Sequence, residues 1–156
     1  MIASGDRLFC DTNVFLNAVD RKRLLNAQAL HALNTFPNQG VELCISGQVL
    51  REFLAVCTRS RDANGLGLGL KQSIENAEAI IERSSILEET RAVTTSLLGL
   101  VARGKCIGKQ VHDANIVATM VGHGLRKLLT DNLMHMKRFS EIEIVDLSTL
   151  LDLSAA

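Results

Sequence analysis

The run Leu8-Phe9-Cys10 is apolar at consecutive rather than alternate positions and ends at once in a carboxylate, Asp11. A strand with one face in water alternates in polarity, so a continuous run of this kind is expected in a strand covered on both faces. Leu128-Leu129, followed by Thr130-Asp131-Asn132, repeats the arrangement far downstream. The stretches between such runs have helical spacing. Leu25, Ala29, Ala32, Leu33 and Phe36 form one stripe that Pro37 and Gly40 are expected to stop. Val49, Leu50, Phe53 and Cys57 form another, with Ser46 suited to cap it and Glu52 half-buried at its edge. Helices are also expected over 71–83, around Val93 to Val101 with Gly104 ending it, and over 111–121. Strands are expected at 42–46, 86–87, 127–130 and 142–147, the last at an edge. Alternation of short strands with longer helices predicts an α/β fold: a three-layer α/β/α sandwich around a parallel sheet of four to five strands. Residues 62–70, with glycine at every second position from Gly65 to Gly69, read as a mobile connection rather than a strand.

At 156 residues, 47% of them hydrophobic, the chain is expected to make a single domain over 1–156 with an adequate core. No segment has the length of a membrane span or the basic and apolar pattern of a signal peptide. Cys10, Cys44, Cys57 and Cys106 show no metal-ligand spacing and read as buried hydrophobes of a cytoplasmic protein. The formal net charge is zero, so any nucleic-acid binding must rest on local clusters such as Arg21-Lys22-Arg23, Arg59-Ser60-Arg61, Arg126-Lys127 and Lys137-Arg138. With no Trp or Tyr and five Phe, the composition argues against a dedicated aromatic platform for single strands.

Ligands of an open parallel sheet sit beyond the carboxyl ends of its strands. Asp11 and Asp131 fall at such ends, Asp113 opens the helix of residues 111–121, and Glu52 lies on a core-facing helix. Each has a plain structural explanation. Asp11 suits a helix cap, Asp113 complements a helix dipole, Glu52 could be a surface residue with a packed stem, and Asp131 could be turn chemistry. Their joint occurrence points to a shared site. Carboxylates about 4 Å apart repel by ~4 kcal/mol at an effective dielectric near 20, a strain that a hard divalent ion relieves. Asp11 and Asp113 would be its ligands, the ion would polarise a phosphoryl group, and Glu52 would orient or deprotonate the attacking water.

Phe9-Cys10-Asp11-Thr12-Asn13-Val14-Phe15, Ile45 to Phe53, Val111-His112-Asp113-Ala114 and Leu129-Thr130-Asp131-Asn132 with Arg138-Phe139 together resemble the PIN domain family, in particular its VapC-type toxins. The resemblance runs in order along nearly the whole chain. It implies a Mg²⁺- or Mn²⁺-dependent ribonuclease, usually a homodimer, neutralised by a small cognate antitoxin. Carried over, Asp11 and Asp113 are metal ligands, Glu52 and Asp131 complete the catalytic acids, and Asn13 and Thr130 support them by hydrogen bonds. Many members carry Thr-x-Asp in the last motif, whereas this chain has Thr130-Asp131-Asn132. The aligned residue is Asn132, and whether Asp131 or Asn132 acts there stays open.

Two competing readings remain. A non-catalytic PIN-like module would use its cleft for RNA or protein, and three clustered acids that repel phosphate argue against it. A phosphoaspartyl enzyme would want a second acid two residues after Asp11, where the chain has Asn13.

Overall fold

The computed structural model describes residues 1–151. Its elements, in chain order, are β1 (Arg7–Cys10), α1 (Thr12–Val19), α2 (Asn26–Asn38), β2 (Glu42–Ser46), α3 (Gly47–Thr58), α4 (Leu70–Arg83), β3 (Ser85–Leu87), α5 (Arg91–Gly104), α6 (Gln110–Gly122), β4 (Lys127–Thr130), α7 (Leu133–Met136) and β5 (Glu143–Asp146). All five strands pair in parallel, in the order β3-β2-β1-β4-β5. The expected α/β architecture is therefore present, with β5 at an edge.

The continuous apolar runs sit where their pattern requires. Leu8, Phe9, Cys10, Leu128 and Leu129 have no solvent exposure, as β1 and β4 lie inside the sheet. Helices α1 to α4 pack among themselves, as do α5 to α7. Right-handed crossovers explain this division: β1 to β3 advance in one direction across the sheet, and β4 and β5 return past β1 on its other side. All four cysteines are buried and free, and burial raises the Cys10, Cys44 and Cys57 thiols above their ordinary range.

Local features also depart from the sequence expectation. Helix α2 stops between Pro37 and Gly40 as expected, at Asn38, but Pro37 itself lies within its last turn. A proline there leaves the carbonyl four residues back, that of Leu33, without its helical donor. Arg83 of α4 supplies one, its Nη2 donating to Leu33 O at 2.8 Å. Ser46 stands at the N-cap of α3, yet its side chain makes no capping bond, and its Oγ is buried without a partner. Helix α1, not resolved as a separate element by sequence, is buried through Val14, Phe15, Leu16 and Asn17.

The glycine-rich connection is fastened to the end of α3. Leu66 N donates to Val56 O at 2.9 Å, Gly67 N to Arg59 O at 2.8 Å and Leu68 N to Cys57 O at 2.8 Å, while the Leu66 side chain is buried. The expectation of a mobile element gives way to a tethered loop. Gly65 is required there because a Cβ would stand 2.0 Å from Arg59 O, a backbone atom that cannot step aside alone. Gly65→Ala is expected to cost about 1–3 kcal/mol in urea unfolding. A loss below ~0.5 kcal/mol would show that the loop yields freely.

Candidate active site

The strand order reverses direction between β1 and β4, and the crevice beyond their carboxyl ends is where an open sheet binds ligands. Asp11 stands at that point. Its backbone N–H donates to Leu129 O at 3.0 Å, so the register of the two strands fixes its place. Its side chain is the N-cap of α1, with Oδ1 accepting from Thr12 N at 2.8 Å, and Oδ2 accepts from Thr130 Oγ1 at 2.8 Å across the switch point. The capping role and the site role thus coincide in one carboxylate. Each oxygen keeps a lone pair free.

Glu52 reaches the same crevice from α3. Its Oε2 accepts from Thr12 Oγ1 and its Oε1 from Gln48 Nε2, both at 2.9 Å. Asp113 enters from the first turn of α6. Together with Thr12, Asn13, Gln48, His112 and Asn132 these acids line a cleft of about 450 Å³, whose wall also carries Arg51, Arg59 and Lys109. The arrangement is an acidic floor beside a basic rim. A more enclosed apolar groove lies elsewhere, among α1, α2 and α4, and contains no acid.

The electrostatics are set first by burial and only then by neighbouring charge. Burial pushes the Asp11 carboxyl up to about 6, the Thr130 and Thr12 hydrogen bonds oppose this, and the charges of Glu52 and Asp113 add to it. Asp113 is also raised, chiefly by burial; His135, Arg138 and His112 oppose the shift while Glu52 adds to it. A buried carboxylate in an acidic cleft titrating near neutrality is a common property of functional sites.

Asp131 is engaged by α1. It does not line the cleft; its Oδ2 accepts from Asn17 Nδ2 at 3.1 Å, and Asn17 is held in turn by Asn13 O at 2.8 Å. Asn132 takes the cleft position, its N–H donating to Thr130 Oγ1 at 3.0 Å. The structure therefore brings Asp11, Glu52, Asp113, Asn13, Thr130 and Asn132 together and turns Asp131 toward α1. Sequence reasoning overlooked Gln48, Thr12, Arg51 and Lys109. For Gln48 the signal was available, since it precedes Glu52 by one helical turn and shares its face.

Among the described residues, no group of three or more His, Cys, Asp and Glu side chains is arranged so that it could hold a metal ion. The donors that line the cleft are carboxylate, amide and hydroxyl oxygens. Mg²⁺ and Mn²⁺ take such oxygens, typically one or two carboxylates with waters and a substrate phosphate, so the donor chemistry fits a hard divalent ion.

A parallel α/β sheet with acids gathered at its switch point defines a class of cleft-bearing α/β proteins, and comparison makes the class specific. The PIN domain family model matches residues 8–142, and the chain belongs to that family. No curated protein sequence matches it significantly. Among solved structures it resembles VapBC2 of Rickettsia felis bound to a DNA fragment from its promoter, with 16% identity and a TM-score of 0.66 over 90% of this chain and 98% of that one. DNA-bound VapBC of Salmonella typhimurium is 23% identical at a TM-score of 0.64, covering 91% and 98%. VapC20 of Mycobacterium tuberculosis, a sarcin-ricin loop cleaving toxin, is 16% identical at 0.64, covering 87% and 98%. At these identities the likeness establishes the fold.

Proposed function

We propose that the chain is a metal-dependent endoribonuclease that hydrolyses RNA phosphodiester bonds and serves as the toxin of a toxin-antitoxin pair. The observation that carries this reading is the buried Asp11 carboxylate, held at the switch point by Thr12 and Thr130, with its proton affinity raised by burial and by Glu52 and Asp113. Three acids converging on one cleft raise one another's proton affinity, and a hard divalent ion bound among them would relieve that repulsion.

Asp11 and Asp113 would hold Mg²⁺ or Mn²⁺, with Glu52 completing the acidic set. When bound, the ion supplies Lewis acidity at the phosphoryl group and makes a neighbouring water more acidic. The chain's own residues supply the rest. Arg51, Arg59 and Lys109 hold the RNA backbone at the rim, where cationic side chains offset phosphate charge. Glu52, fixed at both oxygens by Thr12 and Gln48, orients the attacking water and accepts its proton. Asn132 offers the cleft a neutral amide where an acid would have added repulsion.

The PIN family membership and the toxin-antitoxin complexes among the similar folds support a small antitoxin as partner. Its binding segment would carry basic groups for the acidic floor. A homodimer and a cytoplasmic location follow the same reading; among the described residues no helix is long and apolar enough to cross a membrane.

Purified protein incubated with mixed cellular RNA is expected to cut it with Mg²⁺ or Mn²⁺ and to stop when EDTA is added. Cutting that continues unchanged in EDTA would refute metal dependence. No cutting with either ion, in antitoxin-free protein, would favour the non-catalytic binding module.

A further inference from the structure

We propose that Gln48 is a positioning residue that sets Glu52 against α6, so that one buried amide couples the two helices bearing the cleft acids. The proposal deepens the nuclease reading and rests on it for its kinetic consequence. Gln48 is only 4% exposed, and its bonds leave it one orientation. Nε2 donates to Glu52 Oε1 and to His112 O, both at 2.9 Å, and Oε1 accepts from Asn115 Nδ2 at 2.7 Å. A carboxylate and a carbonyl can only accept, and Asn115 presents a donor, so turning the amide over would break all three contacts at once. Asn115 is fixed in the same way. Its Nδ2 also donates to Glu89 Oε1 at 2.8 Å, and Glu89 lies 3.8 Å from Arg51 on the cleft wall.

The consequence concerns Glu52. One oxygen is held by Thr12 at the start of α1, and the other by an amide that His112 and Asn115 hold from α6. Glu52 therefore takes its direction from both sides of the switch point. Movement of α6, which carries Asp113, would be transmitted to Glu52 through Gln48 without any direct contact between the two acids. Outer partners that orient acids in such sites are worth about 10–100-fold in activity.

Two measurements on the full chain test this. In metal-free protein, the Gln48 side-chain amide protons should exchange slowly with solvent, and their NMR signals should move on Asn115→Ala as well as on Glu52→Gln. Rapid exchange together with indifference to Glu52→Gln would overturn the coupling, whether or not the protein cleaves RNA. Given cleavage by the wild type, Gln48→Ala should lower kcat about tenfold at unchanged KM for RNA. Gln48→Glu keeps the volume, loses the donors and should be equally impaired. Asn115→Ala should add little further loss in the Gln48→Ala background, because both act through one path. Independent, multiplicative losses, or a fall in thermal stability with kcat untouched, would reduce Gln48 to a purely structural role.

Discussion

Asp11→Asn is expected to lower RNA cleavage by about 10³-fold, the scale on which enzymes lose rate when a preorganised electrostatic contact to the reacting group is removed. In the metal-free protein the same substitution should gain stability relative to wild type as pH rises toward neutrality. Asp11 is buried and its pKa is raised from 3.8 to about 6, so the folded state binds a proton more tightly than the unfolded chain does. Its favourable contribution is fully present below about pH 4 and is lost as pH rises through about 6. Above that window the buried charge costs up to about 3 kcal/mol. An uncharged Asn carries no such cost, although its single amide oxygen can accept from only one of Thr12 N and Thr130 Oγ1, a loss that does not change with pH. The difference in unfolding free energy between Asp11→Asn and wild type should therefore grow in favour of the variant from pH 4 to pH 7, as read by urea unfolding in EDTA. A variant less stable at pH 7 than at pH 4, relative to wild type, would contradict a repulsive, desolvated cluster. Added Mg²⁺ should narrow the gap by stabilising the wild type alone.

Phe53→Ala should produce the largest loss of stability among single changes in α3. Phe53 is wholly buried on the core face of that helix, beside Glu52 in sequence, and truncation leaves a cavity that packed neighbours fill poorly. The expected cost is about 3–5 kcal/mol, a large part of the 5–15 kcal/mol that holds a typical domain folded. Phe53→Leu retains most of the volume and should cost far less, about 1.5 kcal/mol. Urea midpoints of the three proteins decide the matter. Equal losses for Ala and Leu would mean that the ring makes a specific contact and does not merely fill space. Since the helix also carries Gln48 and Glu52, Phe53→Ala should lower cleavage at temperatures where the protein is still folded.

What the sequence made legible follows from physical signals that are local in the chain. Consecutive apolar residues at Leu8 to Cys10 and at Leu128-Leu129 exposed the inner strands, because only a strand covered on both faces tolerates them. Asp11 was legible as a strand-end acid for the same reason. The misses depend on partners that the local residue pattern does not name. Pro37 remains inside α2 because Arg83 satisfies the carbonyl it releases, and the glycine loop is tethered because the end of α3 offers it three carbonyls. The exchange of Asp131 for Asn132 was written in the motif, but its outcome was not. Past the end of β4 the chain leaves the pleat, and only the Asn17 side chain shows which way Asp131 turns.

The most direct test of the nuclease assignment compares wild type, Asp11→Asn and Asp131→Asn on one RNA substrate with Mn²⁺. Wild type and Asp131→Asn should cut at similar rates, since Asp131 accepts from Asn17 and does not line the cleft, while Asp11→Asn should be slower by about 10³-fold. Undiminished cutting by Asp11→Asn would contradict the assignment of the cleft as the catalytic centre.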